Sequence, residues 1–114
     1  VIQHMVGELD IQLHAARTVT YDAARLVSEA PGSVEANRAI HRAKYMVGEL
    51  GPVIGSQAIR ICGGSTISKH MALERLYRDA RCGGLMPAKS DDCLSYAGKM
   101  ALGIDASKAD QTYW

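Results

Sequence analysis

Residues 63–81 have the sequence GGSTISKHMALERLYRDAR, and this stretch decides the fold. Over residues 34–62, just before it, apolar residues recur every three or four positions, which is the pattern of one long amphipathic helix. The pair Gly63 and Gly64 ends that helix, because glycine readily adopts the backbone conformation of a helix C-cap. An irregular turn follows, and a short, highly charged helix is predicted from 70 to 81. The stretch therefore predicts a helical chain that is interrupted at glycine pairs.

Helical periodicity also extends to the beginning of the chain. Residues 2–29 carry an apolar stripe at helical spacing and predict a first long helix. The pair Pro31 and Gly32 ends it, and Ser33 is placed to cap the helix predicted over residues 34–62. Two long antiparallel helices are therefore expected.

Two prolines mark the remaining features. Pro52 lies inside the second helix and removes a hydrogen bond, so a kink is expected there, with a complete break as the alternative. Pro87 fits the first turn of the predicted last helix, which runs to about Gly103. Neither strand-like alternation nor an internal repeat is visible. The predicted fold class is all-α, an up-down four-helix bundle over residues 1–104, followed by a loose polar tail at 105–114.

Size and composition restrict the class of protein. A chain of 114 residues forms one domain. Its 13 basic and 12 acidic residues include no long basic run, so a nucleic-acid partner is not expected. No apolar run approaches the roughly 18 residues of a membrane span.

The three cysteines, without Cys-x-x-Cys spacing, are typical of reduced thiols in a cytoplasmic protein, and the four histidines form no metal-binding pair. No signal peptide is visible, and the chain begins as if inside a helix, which suggests a fragment.

The helix break and the charged run resemble the C-terminal helical domain of the acyl-CoA dehydrogenase family. That family has the pattern Gln-x-x-Gly-Gly-x-Gly, followed by Glu-Arg-x-x-Arg-Asp, and residues 74–79 here have the sequence ERLYRD. The resemblance runs without a gap from Val1 to about Gly103. It is specific over residues 63–81 and weak in the first helix, because alanine-rich amphipathic helices are common.

The resemblance implies FAD as the cofactor. In the family the Gly-Gly pair lets the backbone approach the FAD of a neighbouring subunit, and a pyrophosphate requires such an approach. The alternative for this pair is an ordinary helix C-cap. Arg60 replaces a family Gln and can still meet a phosphate, whereas Thr66 replaces the third glycine and is less permissive of close approach. The implied cofactor-binding residues are Arg60, Gly63, Gly64, Lys89 and Asp91.

No catalytic residue is predicted in this chain. Family members usually place a Glu within a Tyr-Glu-Gly-Thr run, and its carboxylate removes the α-proton of the acyl thioester while hydride passes to the flavin. Residues 86–89 here have the sequence MPAK, and Pro87 occupies the position of that Glu. Asp91 and Asp92 are interpreted as first-turn acids of the last helix. Some family members carry the base on an earlier helix, which would precede this chain. The charges of residues 74–79 are interpreted as ion pairs.

The functional expectation is the C-terminal domain of an FAD-dependent acyl-CoA dehydrogenase, which oxidises an acyl-CoA to its 2-enoyl-CoA. The chain would associate with itself as a dimer or tetramer, because its amphipathic helices leave apolar surface uncovered. It would supply the oligomer core and part of the FAD site, and it would be inert alone. Two alternatives stay open: a standalone helical interaction module without redox activity, which Pro87 favours, and a nonredox relative that binds an acyl-CoA or a flavin.

Overall fold

The computed structural model describes residues 1–105 and contains four α-helices. They are α1 (Ile2–Glu29), α2 (Val34–Cys62), α3 (Leu73–Arg81) and α4 (Ser90–Ala101). Short 3-10 turns follow α2 at Gly64–Ile67 and α3 at Cys82–Gly84. No strand occurs in this part of the chain, so the all-α prediction with four helices is confirmed. The predicted polar tail lies, beyond Asp105, outside the described residues.

Helix α2 is the central element, and α1, α3 and α4 each pack against it. The contact between α1 and α2 is built from small side chains, with Ala23 against Ala39 and Ala43. Val19 and Leu26 pack against these alanines from α1. Because alanine is short, the two long helices approach closely, which suits a chain that contains no Phe.

The turn between α1 and α2 forms as predicted. Gly32 has a φ of +75°, in the left-handed region that favours glycine. The Ser33 side chain accepts a hydrogen bond from the Ala36 N–H at 3.1 Å and caps α2. Glu35 lies in the first turn of α2, where the helix dipole favours an acid. The local signals in the sequence are therefore sufficient to set this helix boundary.

Helix α2 continues through Pro52 without interruption, so the alternative of a complete break is wrong. A proline inside a helix costs about 3 kcal/mol, because it removes one hydrogen bond and crowds the preceding turn. Helix α3 packs against α2 at Gly51 and again at Gly55, on either side of the proline. This packing spans the weakened turn and holds the two halves of α2 together.

Glycines on one side of α2 allow the backbone of α3 to come close. A Cβ atom placed on Gly51 would lie 3.0 Å from the carbonyl oxygen of Ala80. A Cβ atom on Gly55 would lie only 2.5 Å from Cδ2 of Tyr77. The pairs 51–80 and 55–77 also show that α3 runs antiparallel to α2. Gly51 thus has a role in helix packing that the sequence did not indicate, and the kink expected at Pro52 stays a prediction.

Two predicted helix starts are wrong by about one turn. Helix α3 begins at Leu73 and not at 70, because the preceding residues form a turn in which the Met71 N–H donates to the Ser68 carbonyl at 3.1 Å. Helix α4 begins at Ser90, so Pro87 precedes the helix and does not lie in its first turn. The Asp92 carboxylate accepts a hydrogen bond from the Lys89 N–H at 3.2 Å, which fixes the start of α4 at this point.

The three cysteines are free thiols, as predicted. Cys62 and Cys82 are exposed, whereas Cys93 is only 1% exposed and its Sγ lies 3.7 Å from the Ala88 carbonyl oxygen. Burial raises the pKa of the Cys93 thiol, which keeps it protonated and unreactive. In residues 1–105, no helix combines the length and the apolar character needed to cross a membrane.

Candidate cofactor-binding site

Gly63 ends α2 with a backbone conformation that favours glycine. Its φ is +79°, and its N–H donates to the carbonyl of Ile59 at 2.9 Å. Gly64 then begins the 3-10 turn that runs to Ile67. Both glycines are exposed, and a Cβ atom on either one would meet no atom within 4 Å. A ligand can therefore reach the backbone here, where the first N–H groups of the turn have no partner within that turn.

Thr66 lies inside this turn and is only 2% exposed. Its hydroxyl donates to the Gly63 carbonyl at 2.8 Å, and its backbone N–H donates to the same oxygen at 3.2 Å. The side chain that replaces a glycine of the family pattern is thus turned into the protein. It stabilises the turn and leaves the surface of Gly63 and Gly64 open.

Arg60 places a positively charged residue three positions before Gly63. It lies in the last turn of α2 and is exposed to solvent. A guanidinium group beside exposed backbone N–H groups is an arrangement that suits a phosphate. Three of the five predicted site residues, Arg60, Gly63 and Gly64, are therefore brought together at one end of α2.

Lys89 and Asp91 form a second, separate group at the beginning of α4. Both are exposed, and they flank Ser90, whose hydroxyl donates to the Glu49 carboxylate in the middle of α2. Glu49 and Arg60 are separated by about 16 Å along the axis of α2, at about 1.5 Å per residue. Within one chain, Lys89 and Asp91 therefore do not join the group at Gly63.

The charged helix α3 carries an ion pair on its surface. The Arg78 guanidinium donates to the Glu74 carboxylate at 3.0 Å, one turn apart, and this hydrogen bond raises the pKa of Arg78. An exposed pair of this kind stabilises a helix only slightly. The geometry agrees with the prediction of an ion pair in this helix for Glu74 and Arg78.

The loop between α3 and α4 is fixed to α2 at two places. The Lys44 ammonium group donates to the Gly83 carbonyl and, at 3.4 Å, to the Met86 carbonyl. The Glu49 carboxylate accepts the hydrogen bond from Ser90 at the other end of the loop. Sequence reasoning missed both residues, since a single lysine and a single glutamate within a helix look like ordinary surface charges. Lys44 and Glu49, which belong to no recognised motif, therefore fix the loop that contains position 87 to α2.

Comparison with known families decides where this architecture belongs. The model for the C-terminal domain of acyl-CoA dehydrogenases matches residues 1–86. This chain belongs to the acyl-CoA dehydrogenase family. The family indicated by the glycine pair and the charged run is thus confirmed, and the match covers most of the chain.

Curated relatives agree with this assignment, and their names describe several different activities. The short/branched chain specific acyl-CoA dehydrogenase of Bos taurus is 36% identical over 99 residues, covering 86% of this chain and 22% of the relative. The L-evernosamine nitrososynthase of a Micromonospora species is 32% identical over 113 residues, covering 89% and 26%. The 3-sulfinopropanoyl-CoA desulfinase of Paraburkholderia xenovorans is 35% identical over 80 residues, covering 70% and 20%. The chain thus spans only a fifth to about a quarter of their length. No solved structure gives a significant match.

The family match ends one residue before Pro87. Two carboxylates near this loop are already engaged: Glu49 by the Ser90 hydroxyl and Asp92 by the Lys89 N–H. Asp91 is exposed and lies on a different side of α4 from the buried Cys93. The alignment with the Bos taurus relative covers 86% of this chain and therefore extends past residue 86, so that relative matches part of the segment that the family model leaves out.

Proposed function

We propose that this chain is the C-terminal helical domain of an FAD-dependent enzyme of the acyl-CoA dehydrogenase family. It contributes the helical core of a dimer or tetramer and part of the FAD-contacting surface, and it has no activity alone. In the proposed parent enzyme an acyl-CoA is oxidised to its 2-enoyl-CoA, and the bound FAD supplies the acceptor for the hydride. The observation that carries this proposal is the open Gly63 turn, within a chain whose family match covers residues 1–86.

The Gly63 turn fits the phosphate-bearing part of FAD. No side chain covers Gly63 or Gly64, so an anionic group can approach the backbone to hydrogen-bond distance. Arg60 adds a positive charge within the last turn of α2. Lys89 and Asp91 lie too far along α2 to contact the same phosphates in one chain. They would contact a different part of the cofactor, or a cofactor bound by another subunit.

Uncovered apolar surface supports the proposed self-association. Two grooves lie along the pair of helices α1 and α2, and their volumes are about 360 and 370 Å³. Ile11 is 70% exposed and Val53 is 45% exposed at the edge of the second groove. Large apolar side chains in a continuous exposed surface usually mark an interface.

Position 87, where the family usually places its base, has no group for the proposed dehydrogenation in this chain. A base must lie within hydrogen-bond reach of the α-proton, and Pro87 has no group that accepts a proton. Glu49 and Asp92 are engaged in hydrogen bonds that hold α4 and its loop. The carboxylate of the parent enzyme would therefore come from outside this chain, and the part described here would position and bind without moving a proton.

A second candidate is a parent enzyme that oxidises an amine, and Pro87 favours it. One relative is by name a nitrososynthase, and its similarity extends over 113 residues. Formation of a nitroso group removes no α-proton from a thioester, so it gives no reason to retain a glutamate at position 87. Assays of the full-length parent protein with FAD distinguish the two candidates: one contains an acyl-CoA and an artificial electron acceptor, and the other contains an amino sugar, dioxygen as the source of the nitroso oxygen and a reductant for the flavin.

Titration of the purified chain with FAD tests the proposed cofactor contact. Quenching of flavin fluorescence is measured for FAD and for riboflavin, which has the same ring without the phosphates. We expect weak binding of FAD, weaker binding of riboflavin, and a loss of FAD affinity in Arg60→Ser. Arg81→Ser is the matched control, since Arg81 is also an exposed arginine in the last turn of a helix. Equal binding of FAD and riboflavin would argue against a phosphate contact.

An activity assay tests the claim that the chain is inert alone. The purified chain is incubated with FAD, an acyl-CoA and an artificial electron acceptor. We expect no formation of enoyl-CoA, and turnover above the rate of free FAD would refute the proposal.

A further inference from the structure

We draw no further inference here: the strongest candidate, the apolar cleft of about 220 Å³ that Val19 of α1, Arg42 of α2 and Leu94 of α4 line, is an open face of the three helices, and nothing in the structure shows what covers it.

Discussion

The backbones of Gly48 and Gly84 are in direct contact. A Cβ atom placed on Gly48 would lie 3.0 Å from Cα of Gly84 and 3.1 Å from its nitrogen. A Cβ atom on Gly84 would in turn lie 3.0 Å from Oγ of Ser90, the first residue of α4. The contact between α2 and the turn after α3 therefore places the start of α4, and the loop that carries Pro87, close to α2.

Gly48→Ala is expected to destabilise the chain by about 1–3 kcal/mol, because the atoms it meets are backbone atoms that cannot rotate away. Gly98→Ala is the control: it lies in open space within α4 and is expected to stabilise by up to about 1 kcal/mol through helix propensity. Urea denaturation followed by circular dichroism measures both. If Gly48→Ala were as stable as Gly98→Ala, the close contact with Gly84 would be wrong.

Lys44→Met is expected to loosen the loop between α3 and α4. The variant keeps the apolar stem but removes the hydrogen bonds to the Gly83 and Met86 carbonyls, at a cost of about 1–2 kcal/mol. Amide hydrogen exchange within residues 83–89 should then become faster. Lys69→Met, at an exposed position outside the helices, should leave this exchange unchanged. Unchanged exchange in Lys44→Met would show that the lysine does not hold the loop.

The sequence was sufficient for the long helices and for the turn at Ser33, because these depend on local periodicity and capping. It also located the Gly63 break and the charged helix through the family pattern. It did not predict the roles of Gly48, Gly51 and Gly55, since a glycine in a helix gives the same signal whether it packs, bends or is simply tolerated. Lys44 was missed for a similar reason: its partners are carbonyls about forty positions away in the chain. Contacts between distant segments leave no periodic trace in the sequence.

Thr66→Val tests the support beneath the Gly63 turn. The variant keeps the shape but loses the hydroxyl bond to the Gly63 carbonyl, and a buried hydrogen bond contributes about 1 kcal/mol. Thr18→Val is the matched control, because Thr18 is exposed and its hydroxyl bond to the His14 carbonyl lies on the helix surface. Thermal and urea denaturation should show a loss for Thr66→Val only. An equal loss in both variants would remove the special role of Thr66.

The buried thiol gives a pH dependence with a definite sign. Because burial raises the pKa of Cys93 above its ordinary value of 9.0, the folded chain holds this proton more tightly than the unfolded chain. Stability is then complete below pH 9 and falls as the pH rises above it. Urea midpoints between pH 7 and pH 10, compared with Cys93→Ala, measure the difference. A variant with the same decline above pH 9 as the wild type would contradict this origin.

Thiol labelling provides an independent check of the same residue. Cys62 and Cys82 are exposed and should react quickly with a thiol reagent such as dithionitrobenzoate, whereas Cys93 should react only when the chain unfolds. The absorbance change should therefore correspond to two thiols in buffer and three in denaturant. Rapid reaction of all three thiols in buffer would show that the packing of α4 on α2 is incorrect.

Contact between the Gly63 turn and FAD is tested most directly by a nuclear magnetic resonance titration of the nitrogen-15 labelled chain with FAD, because this method detects weak binding residue by residue. We expect the amide signals of Gly63, Gly64 and the neighbouring turn to shift progressively, together with that of Arg60, and riboflavin at the same concentrations to shift them much less. Signals of the α1–α2 turn near Gly32 serve as the internal control and should stay in place. Absence of shifts at Gly63 and Gly64 at millimolar FAD, or shifts confined to other parts of the chain, would contradict the claim that this turn contacts the cofactor.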